Sequence, residues 1–183
     1  MEEELKEIKY QVLNCKKCPL HKTRLYPVIG EGNHQADVML IGEAPGFHES
    51  KTGRPFCGAA GRILDELLEF AGIKREDIYI TNILKCRPPK NRDPQEEEIK
   101  ACSPYLEKQI QLINPKTICP LGNYATRYIL KKYGLEDKID GISKIHGKVF
   151  EKEKRIIPLY HPAVGLYRAN MKEVLKQDIK KIL

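Results

Sequence analysis

The apolar run Val38-Met39-Leu40-Ile41, then Gly42-Glu43-Ala44-Pro45-Gly46, then Ile63, Leu64, Leu67 and Leu68 at helical spacing, constrain this chain more than any other stretch. Consecutive apolar residues bounded by glycine read as a buried strand, and the later spacing reads as one face of a helix. A strand, a long loop and a helix in that order begin a parallel βαβ unit. Between positions 42 and 61 the chain places five of its 13 glycines. Glycine permits tight turns and lets a ligand approach the main chain without a Cβ in the way. In a parallel sheet, ligands sit at the carboxyl ends of the strands. A loop there that mixes glycines with Glu43, Glu49 and Phe56 reads as a site.

The same alternation continues. An amphipathic amino-terminal helix carries Leu5, Ile8 and Val12 on one face, and further strands are predicted at 78–82, 116–119 and 155–159, after a first at 37–42. The helix after the glycine-rich loop should stop near Gly72. Asp93-Pro94-Gln95-Glu96 predicts a helix start, with Asp93 as N-cap, Pro94 at the first position and Glu96 closing a capping box. That helix is expected to break at Ser103-Pro104, where a new one begins. A helix through Tyr124 to Leu130 and a last one carrying Met171, Val174, Leu175 and Ile179 complete the pattern. The prediction is one domain over residues 1–183: α/β, a three-layer α/β/α sandwich with a central, mostly parallel four-stranded sheet. Glu43, Asn82 and His161 each fall at or just past a strand's carboxyl end, so three distant stretches should meet in one crevice.

Composition narrows the classes. No apolar run approaches membrane-spanning length, and the amino end has neither a basic nor an apolar signal region. An intracellular, cytoplasmic protein is therefore expected, in which the six cysteines are ligands or buried thiols rather than disulfides. A net charge of +7 suits a polyanionic partner. Abundant lysine, glutamate and isoleucine, with no tryptophan, lean towards a thermophile. No G-x-G-x-x-G lies at a strand–helix junction, which disfavours a dinucleotide-binding enzyme.

Cys15-x2-Cys18 has a common ligand spacing, and Cys86 and Cys102, with 15 residues between them, each lie beside an expected helix break. Together they could close a four-thiolate site. The alternatives are that only Cys15 and Cys18 are ligands, or that all four are plain thiols. Spacing does not choose between zinc and an iron–sulfur cluster. Cys57 and Cys119 read as packed thiols. Lys85, Arg87, Lys90 and Arg92 form a basic stretch next to the second cysteine pair.

Gly42-Glu43-Ala44-Pro45-Gly46, Gly53-x-Pro55-Phe56-x-Gly58-x-Ala60-Gly61, Thr81-Asn82-x-x-Lys85-Cys86-Arg87-Pro88-Pro89 and His161-Pro162-Ala163 together resemble the family 4 uracil-DNA glycosylases, the thermostable, iron–sulfur branch of their superfamily. The likeness runs in order from residue 15 to residue 170. It implies DNA repair by base excision: a monofunctional hydrolase that flips uracil out of deaminated DNA, single- or double-stranded, and leaves an abasic site. It also implies a [4Fe-4S] cluster on Cys15, Cys18, Cys86 and Cys102. Phe56 would stack on the flipped base beside Gly42, Asn82 would pair with its N3–H and O4, and Glu49 would exclude the methyl of thymine. His161 would donate to uracil O2 as negative charge develops.

Glu43 would position the attacking water, although the backbone around it could serve instead, because the better-known family 1 enzymes carry an aspartate where this chain has Ala44. DNA would be held by Lys85 and Arg87, by backbone N–H groups of the helix opening at Ala59, and by a wedge from Leu166 or Arg168. A monomer suits the task, and a sliding clamp is a candidate partner. Two other readings compete: a non-catalytic nucleic-acid-binding module stabilised by a four-cysteine metal site, and a broader-specificity family 5 glycosylase, whose first motif typically lacks the glutamate found here as Glu43.

Overall fold

The computed structural model describes residues 1–183. In chain order its elements are α1 (Glu2–Leu13), β1 (Glu31–Gly32), β2 (Val38–Gly42), α2 (Phe47–Thr52), α3 (Ala59–Phe70), β3 (Tyr79–Asn82) and α4 (Glu96–Ile113). They continue with β4 (Thr117–Pro120), α5 (Asn123–Lys132), α6 (Ile142–Ile145), β5 (Phe150–Glu151), β6 (Arg155–Ile156), α7 (Val164–Tyr167) and α8 (Met171–Ile179). The strands form one sheet in the order β1-β3-β2-β4-β6-β5. Its four central strands are parallel, and Gly42 pairs with Asn82 at the ends of β2 and β3. The expected parallel core is therefore present, while β1 and β5 add two antiparallel edges, for six strands instead of four. Each edge strand is two residues long, too short to leave a period in the sequence.

Alternation along β2 divides the interior. Met39 and Ile41 pack with Leu5, Ile8, Leu106, Ile110 and Ile129 on one side of the sheet. Val38 and Leu40 pack with Ile63, Leu64, Leu67, Leu175 and Ile179 on the other. Burial on both faces is what a continuous apolar strand requires, and helices cover both, as the layered reading predicted.

Two expectations about α4 are corrected. It runs unbroken for 18 residues with Pro104 inside it. The proline removes one hydrogen bond, to the Lys100 carbonyl, at a cost of about 3 kcal/mol. Cys102, Tyr105, Leu106, Gln109 and Ile110 are buried on both sides of that point, and their packing offsets the loss. The helix also starts later than Asp93. Gln95 is the N-cap, and its N–H donates to Glu98 Oε1 at 2.8 Å. Arg92 clamps the same carboxylate at 2.7 and 3.0 Å, which makes Glu98 rather than Glu96 the capping residue.

Candidate functional site

Gly42, Asn82 and the segment leading to His161 reach the same edge of the sheet, with Leu121 bridging in parallel to Leu159 just before the histidine. The crevice there is a cavity of about 170 Å³ lined by Ala44, Gly46, Glu49, Phe56, Ala60, Gly61, Asn82 and His161. Sites for drug-sized ligands run to about 300–1,000 Å³. This one fits a single small ring.

Asn82 is 2% exposed, and its Oδ1 has no hydrogen-bond partner. Leaving a buried acceptor unmet costs about 1–3 kcal/mol, so the pocket is built with one polar group awaiting a ligand donor. Glycine allows the close packing around it. A Cβ at Gly42 would collide with Asn82 Oδ1 and lie 2.7 Å from Phe56 Cζ, and one at Gly61 would collide with the Phe56 carbonyl.

Phe56 is buried and held at φ +46°, a conformation rare for a large side chain. Arg75 holds it there: its guanidinium donates to Phe56 O at 3.0 Å and Pro55 O at 2.6 Å, and pairs with Asp65 and Glu31. Sequence reasoning missed Arg75. It lies in a polar Lys-Arg-Glu-Asp stretch between elements, with nothing to mark it apart.

Glu49 lies on the short helix α2 rather than in an open loop. Its carboxylate accepts the Gly46 N–H at 3.2 Å and the Gly58 N–H at 3.1 Å, so it ties both halves of the glycine-rich loop across the pocket. The Phe56 and His161 rings lie 5.6 Å apart, tilted by 32°. Ala163 N–H donates to His161 Nδ1 at 3.1 Å, which leaves the proton on Nε2 as the ring's free donor. Burial pulls the His161 pKa down to about 4, against the opposing charge of Glu49. The imidazole is therefore neutral near pH 7.

Glu43 differs from the rest. It is half-buried beside the pocket but does not line it; burial and then the nearby Asp93 raise its pKa to about 6.

A second cavity lies behind this edge. Cys15, Cys18, Cys86 and Cys102 all line it, with Val12, Leu20, Arg24, Leu84 and Tyr105. The four cysteines share this one space, and no three metal-binding side chains are grouped to hold one ion. Arg24 Nη1 donates to Cys86 Sγ at 3.1 Å, and the Lys85 N–H to Cys102 Sγ at 3.2 Å. Burial raises the Cys86 thiol and pushes Cys102 up to about 11, and these two donors oppose it only in part.

Lys85 needs correction as a DNA contact. It is 1% exposed, and its ammonium donates to Thr81 Oγ1 (2.6 Å), Gln109 Oε1 (2.7 Å) and the Asn82 carbonyl (2.8 Å). Burial lowers its pKa to about 7. No phosphate can reach it. Arg87 is accessible, with its Nε donating to Asn91 Oδ1 at 2.7 Å. Leu166, 44% exposed, and Arg168 lie at the surface on and just after α7.

The model of the uracil DNA glycosylase superfamily matches residues 29–182, so strand ends, pocket and sequence all define a protein of that superfamily. The chain is 48% identical to the type-4 uracil-DNA glycosylase of Sulfurisphaera tokodaii, over 97% of this chain and 83% of the relative. It is 45% identical to the type-4 enzyme of Archaeoglobus fulgidus (98% and 92%) and 46% identical to that of Saccharolobus solfataricus (94% and 82%). This chain belongs to the type-4 uracil-DNA glycosylases. No helix is long and apolar enough to cross a membrane.

Proposed function

We propose that this chain, acting as one unit over residues 1–183, excises uracil from deaminated DNA by hydrolysing its N-glycosidic bond. One observation carries the reading: the buried, unpartnered Asn82 Oδ1 in a pocket sized for one ring. Uracil presents N3–H and O4 side by side, a donor and an acceptor that match the amide of Asn82. Cytosine presents the reverse and leaves Oδ1 facing an acceptor. Phe56 supplies the stacking face. Glu49, fixed by two backbone N–H groups, forms the wall against which a C5 methyl would press.

As the glycosidic bond breaks, negative charge gathers on the departing base. His161 meets it with Nε2–H, and a neutral imidazole stabilises an anion at O2 without giving up its proton. Water attacks the sugar on the opposite side, becomes its new hydroxyl and gives its other proton to bulk water, while the base leaves with the bonding electrons. Glu43, ionised above about pH 6, orients that water from the pocket's rim.

Cys15, Cys18, Cys86 and Cys102 would hold a [4Fe-4S] cluster. All four cysteines line one shared cavity, and four thiolates are the usual ligand set of such a cluster, which supports this reading. When bound, it cross-links the end of α1, the stretch after β3 and α4; hydrolysis draws no electrons from it. Arg87, with Leu166 or Arg168 as the wedge, would hold the DNA. A monomer suffices, a sliding clamp is a candidate partner, and the substrate places the work inside the cell.

The test is a single-stranded oligonucleotide with one uracil, incubated with the protein and then treated with alkali. Cleavage at uracil, and none in the thymine control, is the expected result. Intact strands after incubation with iron-loaded protein would overturn the reading in favour of a binding module.

A further inference from the structure

Phe47, the first residue of α2, is 47% exposed although it is a large apolar ring. Two cations from different parts of the chain converge on it: Lys51 Nζ lies 5.1 Å and Arg87 Cζ 5.3 Å from the ring centroid. The His48 ring meets it edge-on at 5.5 Å. Leu25 and Tyr26, 62% and 59% exposed, are fastened to the same helix. Their N–H groups donate to Ser50 Oγ at 3.2 Å and Ser50 O at 2.8 Å. Ser50, one turn after Phe47 on α2, is itself buried and anchors the Leu25–Tyr26 segment against the helix. Single exposed apolar residues are ordinary; an exposed ring with two cations over it, and two more apolar side chains tied to the same short helix, are a surface with a purpose. Gly46 and Glu49, on either side of Phe47 in sequence, line the base pocket, so this surface adjoins its mouth.

We propose that Phe47, with Arg87 and Lys51, forms a stacking platform for single-stranded DNA beside the flipped uracil. One neighbouring base lies on the free part of the Phe47 ring, and the phosphates next to it pair with Arg87 and Lys51. An exposed ring with two mobile cations over it suits this occupant, because single-strand binding sites combine aromatic faces with positive charge along the backbone. The chain's net charge of +7 complements the same partner. This rests on the glycosylase reading, but it is tested on DNA that contains no uracil. A failed excision assay and a failed platform are therefore separate results.

The parent chain has no tryptophan, so Phe47→Trp creates a single reporter at the platform. Its fluorescence should be quenched on titration with a uracil-free single-stranded oligonucleotide, and less by the paired duplex, whose bases stay in their own stack. Phe47→Ala should weaken binding to the single strand roughly 5- to 100-fold with an unchanged salt slope. Arg87→Ala should reduce that slope by about 0.7. Unquenched fluorescence, or Phe47→Ala protein that binds the single strand as tightly as the parent, would overturn the proposal and assign the surface to another partner.

Discussion

The pocket around Asn82 is anchored on the ends of sheet strands, whereas the cavity around Cys86 takes its thiols from segments that no strand holds. β2 and β3 set Gly42 beside Asn82, and main-chain bonds continue past the strand ends, from Ile83 N–H to Gly42 O and from Leu84 N–H to Glu43 O. The pocket is thus shaped before any ligand arrives. The four cysteines come from the end of α1, the loop after it, the stretch following β3 and the second turn of α4. Arg24 and the Lys85 N–H donate to two of these sulfurs, Cys86 and Cys102, from elsewhere in the chain. A site built on a sheet tolerates loss of its ligand. One built from separate segments depends on whatever cross-links them.

The largest effect is expected in the pocket. Asn82→Ala removes the groups that read N3–H and O4, and should slow uracil excision by about 10³- to 10⁴-fold. Because the sheet holds the backbone, the variant should keep the parent's Tm and its affinity for uracil-free DNA. A matching loss of DNA binding would place Asn82 in the fold rather than in base recognition. Cys86→Ala reverses the pattern: its iron absorbance should vanish and Tm fall by roughly 10 °C or more. A well-folded but inactive Cys86→Ala protein would break the comparison and give the cluster a direct part in the reaction.

His161 belongs with the sheet-built group and should show it in the pH profile. Its pKa of about 4 keeps the ring neutral through the working range. Below that value a proton on Nδ1 would face the Ala163 N–H, which now donates to it. His161 should therefore impose a loss of activity only as pH falls through about 4, and His161→Ala should cost about 10²- to 10³-fold at pH 7. Retention of full activity in that variant would remove the histidine from the leaving-group role.

How much of this was legible in the sequence follows the same division. Asn82 and His161 could be placed because strand ends are visible as apolar runs, and the ends of parallel strands share one edge; Phe56 and Glu49, on the loop and short helix beyond β2, were legible only through the family resemblance. Lys85 was misread because the sequence shows it only as one cation among Arg87, Lys90 and Arg92. What buries it is a set of acceptors, Thr81, Gln109 and the Asn82 carbonyl, of which Gln109 is brought in by α4. That same burial joins the two sites, since the Lys85 N–H meets Cys102 Sγ while its ammonium holds Asn82 O. The Pro104 break failed for a related reason: local propensity is weak against a helix face buried on both sides of the proline. Arg75 left no signal because hydrogen bonding to the Pro55 and Phe56 carbonyls has no sequence period.

Glu43 tests where the pocket ends, and its effect should be the smallest. It follows β2 directly, yet it lies outside the eight residues that line the cavity, where burial and the charge of Asp93 act on its carboxylate. Burial and that neighbour favour the protonated form, so the carboxylate is fully charged only above about pH 6. If the charged form orients water, activity in the parent should drop as pH falls through 6, well above the His161 limb. Glu43→Gln should lower the rate at pH 7.5 by about tenfold, below the usual range for a full general base, and should erase the limb near pH 6. The two substitutions then sort the acid side of the profile, one limb each. A limb near pH 6 that survives in Glu43→Gln protein would return the water to the backbone of the glycine-rich loop, and would leave Glu43 as a rim carboxylate facing Asp93.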